Sequence, residues 1–290
     1  MEILSFFEAI KKFVATWPLD TVVAGGFGAF FGALGAQLII SRSHGRQAAA
    51  AELNSVATAQ TLCFSICNVF LALKRQHVRP MAQRYDEVRA AHKTFLETAR
   101  QGQPRVFEFQ ADLQTLSPIK TPHILLENIF LERVGVRGRA LAAAIQLFGA
   151  IDGLEKSMLY RNQLIAELRE MRPLSPEELA AFYLGLRIHE GIVDERFRMS
   201  VEAIARQTDD CIFFSRIVAE DLDKYGRKLL RGQAWRLRFG LPKTSEIDWK
   251  VAEDRGLFPS TDKFRDWMRG FATRPSWSAR MSDWLKARFK

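Results

Sequence analysis

Most of the residue patterns that announce a chemistry are missing from this 290-residue chain. Three cysteines exclude a disulfide-built scaffold, and an odd number favours a reducing compartment. Eighteen glycines and ten prolines exclude collagenous and low-complexity classes. There is no G-x-x-x-x-G-K-[ST] phosphate loop, no G-x-S-x-G elbow, no H-E-x-x-H helix and no C-x-x-C pair. None of the five histidines has a glutamate three positions earlier, which removes the Glu-x-x-His signature of a di-iron bundle. These absences leave no catalytic, cofactor-binding or metal-ligating residue to name. The chain reads as non-enzymatic and without a cofactor.

What is present begins with a core. Twenty-two Phe and six Trp in a 48% hydrophobic chain exclude disorder as the dominant state. A mean hydropathy of −0.10 excludes a polytopic transporter but permits one membrane span. The net charge of +9 admits an anionic partner, whether lipid, nucleic acid or acidic protein.

The longest uncharged apolar run near the N-terminus is Val22 to Ile40, VVAGGFGAFFGALGAQLII, where Gln37 is the single clearly polar side chain. As a helix rising ~1.5 Å per residue it reaches nearly ~30 Å, the thickness of a bilayer core. A soluble helix of this length would carry a polar stripe. A cleavable signal peptide fits less well, because the run is longer than a typical h-region and begins twenty residues in. The reading is a retained anchor over 20–41. Ala24, Gly28, Gly32 and Ala36 recur every fourth residue, so they share a face on which two membrane helices could approach closely. Small residues are also common in membrane helices with no partner. Upstream, residues 1–19 place Ile3, Phe6, Phe7, Ile10, Phe13, Val14 and Trp17 at helical spacing, with Lys11 and Lys12 opposite. That pattern predicts an amphipathic helix lying in the membrane interface.

The body, 42–240, reads as helical. From Ser43 to Gln101 the only strong stop is Pro80. Leu53 to Leu73 carries no charge, but Asn54, Ser55, Thr58, Gln60, Thr61, Ser65 and Asn68 make it a buried bundle helix rather than a second span. Residues 103–121 form the longest irregular stretch, with a weak strand signal at Arg105 to Leu113. Thr121-Pro122 reads as a helix start with proline in the first turn, and a further helix is expected from Arg139 to Arg172. Ser175-Pro176-Glu177-Glu178 is a capping box with proline at the first helical position. The helix after it meets no strong stop before Gly226 or Gly232. Two sevenfold rows run along it: Ile204, Cys211, Val218, Tyr225 and Val201, Thr208, Ser215, Leu222, Leu229. Such rows suit coiled-coil-like packing. The expected fold is all-α: one N-terminal transmembrane helix, an elongated antiparallel bundle of long helices, and a tail of short helices over 241–290.

Charge is uneven along the chain. Residues 42–107 carry +6 and residues 231–290 carry +7, against −3 over 108–230. Arg231 to Phe239, RGQAWRLRF, interleaves cations with aromatics, and Lys286 and Arg288 extend the basic character. Arg231, Trp235, Arg236, Arg238, Lys286 and Arg288 are therefore the candidate contacts for an acidic protein groove or, as a weaker alternative, for nucleic-acid phosphates. The same pattern also suits the cation-rich end of a long helix. If successive long helices alternate direction from the membrane, this tail is expected far from the bilayer. Cys63 and Cys67 read as small buried side chains. His189 falls on the stripe Phe182, Leu186, Val193 and reads as a bundle histidine beside a solvated acidic face of Glu190 and Asp194; Asp209-Asp210 and Glu220-Asp221 likewise read as solvated helix surface.

Three roles fit these features. The first is a membrane-anchored, single-pass helical scaffold that binds a protein partner. It would sit in a bacterial inner membrane, with the body in the cytoplasm. The second is a membrane-associated effector or sensor that forms homo-oligomers through its transmembrane helix. The third is a nucleic-acid-binding protein tethered to the bilayer.

Overall fold

One helix sets the length of the molecule. The computed structural model describes residues 19–100, 106–170, 174–188, 192–233 and 240–271. Helix α1 spans Leu19–Leu73, 55 residues or about 80 Å at ~1.5 Å per residue. No proline interrupts it. Ser55, Thr58 and Thr61 turn their hydroxyls back onto the carbonyls of Ala51, Asn54 and Ala57, so these polar side chains sit in the helix without seeking other partners.

Pro80 does not stop the rod. A π-turn over Lys74–Val78 leads directly into α2, Arg79–Ala99, and the Arg79 N–H donates five residues back to the Lys74 carbonyl. Proline lacks a donor and its ring crowds the carbonyl four residues earlier. The wider turn just before it accommodates both defects.

An irregular strap, 106–122, follows, and no strand forms over residues 106–113. Helix α3 is His123–Glu132, with Pro122 at its N-cap position, one residue earlier than the sequence implied. Helix α4 is Arg139–Glu170. The capping box forms as read: Ser175 Oγ accepts from the Glu178 N–H at 3.2 Å, and Glu178 Oε2 accepts from the Ser175 N–H at 2.8 Å. The helix it opens, α5, is short, Pro176–Leu184. Gly185 ends it in the left-handed region at φ 67°, a conformation glycine adopts without a Cβ penalty. The expected unbroken helix to Gly226 is thereby corrected. A two-residue antiparallel pair, Arg187–Ile188 with Ile192–Val193, separates α5 from α6, Arg196–Gly232.

Helix α6 is the hub, packing on both α1 and α4. Ile204, Cys211 and Val218 from one row, and Val201, Thr208, Ser215 and Leu222 from the other, are all buried. Tyr225 Oη donates to Glu52 Oε1 at 2.5 Å, Cys67 Sγ to the Ile212 carbonyl at 3.9 Å, and Lys74 Nζ to Asp209 at 2.6 Å. Partner numbers thus fall along α6 as they rise along α1. On the α4 side, Arg139 pairs with Asp221, and the Arg161 guanidinium lies 5.4 Å from the Phe197 ring centroid.

The segment after Gly240 folds back along this core. The Gln60 side chain donates to the Ser245 carbonyl, Trp249 packs on Phe64, and Phe264 stacks on Phe213 at 3.7 Å. It contains α7, Lys250–Asp254, a 3₁₀ turn at Thr261–Phe264, and α8, Arg265–Arg269.

Between Leu53 and Leu73 one face of the helix is buried, including Val56, Cys63, Ile66 and Phe70. The helix over Ile39–Ala99 carries a window of mean hydropathy 1.7, long and apolar enough to cross a membrane by length and composition, and half of that window is buried. Toward the N-terminus α1 emerges from the packing. Residues 43–48 are exposed, as are Ile39 at 70% and Ile40 at 55%.

Candidate functional site

The residues singled out from sequence fall into three groups. Ala24, Gly28, Gly32 and Ala36 lie in helical backbone within α1 at four-residue spacing, which puts them on one face. Ala36 is exposed. Arg231 is an exposed residue in the last turn of α6. Trp235, Arg236, Arg238, Lys286 and Arg288 lie outside the described residues, as do His189, Glu190 and all but the last residue of the expected amphipathic helix over 1–19.

Arg231 is not far from the emergent end of α1. Tyr225 of α6 meets Glu52, and Arg231 lies six residues further along α6 while Arg46 lies six residues back along α1. Beyond α6 the chain is still at this end: a Cβ at Gly240 would stand 3.6 Å from Arg46 Nη2. The Gly135 N–H also donates to Glu52, at 3.1 Å, bringing the α3–α4 turn and its exposed Arg133 and Arg137 to the same end. The expectation of a basic segment remote from the point where α1 leaves the core is therefore corrected for Arg231 and for residues 240–246. Helix α2 continues outward instead of folding back, so α4 runs outward and α6 returns.

The acidic groups at this end are mostly engaged. Glu52 is held by Tyr225 and Gly135, Asp221 by Arg139, and Asp223 by Arg227 and the Thr244 hydroxyl. Burial and the neighbouring Glu52 push the Tyr225 phenol up to about 12, so it remains a donor.

A concavity of about 610 Å³ lies where α2, α6 and the 3₁₀ turn meet. Asp209, expected on a solvated face, is buried and bridges two lysines, Lys74 at 2.6 Å and Lys263 at 2.9 Å. Burial, reinforced by Asp209, raises the neighbouring Asp210 carboxyl, against the pull of Arg206 and Lys263. Tyr85, Val201, Ala205 and Phe264 supply apolar walls, and no serine, cysteine or histidine lines the cleft. It can seat an apolar side chain beside a carboxylate.

Asp221 is likewise engaged rather than solvated, and Asp194 accepts from both the backbone and the guanidinium of Arg196. Arg196 holds the Asp194 carboxyl below its ordinary 3.8. Cys63, Cys67 and Cys211 are buried free thiols, as the spacing of the first two implied. Among the described residues, no three His, Cys, Asp or Glu side chains gather as a metal site. No known family, no curated protein and no solved structure matches this chain.

Proposed function

We propose that the chain is a membrane-anchored, non-enzymatic helical scaffold. A single span over 20–41 holds an elongated antiparallel bundle, with the body on the cytoplasmic side, and the basic C-terminal region docks a protein partner. The observation that carries this reading is the course of α1. The same uninterrupted helix is packed in the core from Leu53 to Leu73 and emerges with Ile39 and Ile40 exposed. Large apolar side chains on an unpacked helix call for an apolar environment, and the uncharged run ending at Ile40 matches a bilayer in length. A rigid rod continuous from anchor to core fits a spacer or arm better than a hinged tether.

The test is alkaline extraction of membranes carrying the full chain or a version starting at residue 42. The full chain stays in the membrane pellet and the shortened one is released. Release of both removes the anchor from the account. For the docking role, deletion of residues 241–290 removes the proteins that co-purify with the full chain. If all of them remain, the tail is not the docking element.

Homo-oligomerisation through the span is favoured by one further observation, the placement of Ala24, Gly28, Gly32 and Ala36 in continuous helix. In that reading, Gly28→Leu with Gly32→Leu abolishes cross-linked dimers in membranes.

A further inference from the structure

We propose that the end of the bundle nearest the anchor is a basic collar that binds anionic lipid headgroups of the membrane holding the chain. This rests on the anchor reading above and adds a lipid class to it. Four separate stretches of sequence bring cations to this end: Arg46 on α1, Arg133 and Arg137 before α4, Arg231 on α6, and Lys243 after it. All five are exposed. Their convergence follows from contacts already described: Tyr225 and Gly135 on Glu52, and Gly240 against Arg46.

The charge is unbalanced there. Asp221 and Asp223 pair with Arg139 and Arg227 within the protein, Glu52 keeps its charge while accepting from Tyr225, and the exposed Glu246 stands 3.9 Å from Arg227. Glu132 is a further exposed carboxylate beside Arg133, and among the described residues at this end the cations still outnumber these carboxylates. Leu131, 70% exposed, adds an apolar side chain next to Arg133, a combination suited to a headgroup boundary. Arg46 follows the apolar run by six residues, about 9 Å along the helix. That lies within roughly one Debye length of the headgroups, so the attraction is only partly screened. A cation this close contributes about 1 kcal/mol toward an anionic leaflet, equivalent to about a fivefold local enrichment of acidic lipid per residue.

The test reconstitutes the full chain in phosphatidylcholine vesicles containing about one third phosphatidylglycerol, a strongly anionic surface. Spin-labelled phosphatidylglycerol and spin-labelled phosphatidylcholine are compared for the fraction immobilised by the protein. The expected result is a several-fold preference for phosphatidylglycerol that falls as salt rises. The combined Arg46→Gln, Arg137→Gln and Arg231→Gln variant loses most of it, with an unchanged helical circular-dichroism spectrum. Salt dependence is read on the unaltered chain, so the inference stands on it even if the variant folds poorly. A chain that resists alkaline extraction yet immobilises both lipids equally overturns this inference alone. A chain that extracts overturns the anchor reading and this inference together.

Discussion

Arg161 projects from α4 into the core and is 1% exposed. Its guanidinium donates to the backbone carbonyls of Asp112 and Gln114 and lies over Phe197. Neighbouring Asn162 both donates to and accepts from Leu116, at 2.7 and 2.9 Å. These side chains hold the 106–122 strap, which has no backbone ladder of its own, against α4. Replacing Arg161 with alanine leaves two carbonyls without their donor and opens a cavity. The expected loss is about 3 kcal/mol in chemical denaturation, with Arg161→Lys recovering only part because a single ammonium cannot span both carbonyls. The cysteines give a second expectation. Burial raises the Cys211 thiol well above its ordinary range, and all three thiols are enclosed. None should react with a maleimide in the native protein, and all three should react once it is unfolded. Asp194 gives the pH dependence. A carboxyl depressed in the folded state contributes stability above its unfolded value of 3.8, and that contribution disappears as pH falls through the folded value. Asp194→Asn should therefore lower stability at neutral pH and flatten the acid limb of the stability profile, as read by denaturation across pH.

At the level of elements, glycines decide where helices end and where they touch. Gly226 lies in α6 where the returning chain comes closest: a Cβ there would stand 2.5 Å from Thr244 Cγ2. Gly226→Val should push residues 240–249 away from α1 and cost about 1–3 kcal/mol. Limited proteolysis checks it, with faster cleavage after Lys243 expected. Most helices were legible because their signals are local. The capping box at Ser175, the polar hydroxyls of Leu53 to Leu73 and the sevenfold rows of α6 each follow from spacing alone. The stop at Gly185 was not legible, because a glycine inside a helical pattern is tolerated unless tertiary packing selects φ above zero. The bridged position of Asp209 was equally hidden. Lys74 and Lys263 reach it from distant sequence, and no periodicity encodes that meeting.

For the whole molecule, the course of the chain changes the meaning of its charge. Read linearly, the two basic regions flank a slightly acidic centre and lie far apart. In the fold, α2 continues outward from α1, so α4 leaves and α6 returns, and Arg231 comes back to the level of Arg46. The cations of separate sequence regions thereby share one end, beside the helix that emerges from the core. The anchor and the headgroup contacts both require that emergent helix to cross a bilayer. The direct measurement uses single cysteines placed along α1 in intact membranes, against the buried native thiols. Gly28→Cys, Ala36→Cys, Ser43→Cys and Gln47→Cys are each exposed to a membrane-impermeant maleimide after the membranes are opened. A bilayer-spanning α1 gives no labelling at 28 and 36 and full labelling at 43 and 47. Uniform labelling at all four positions would contradict it.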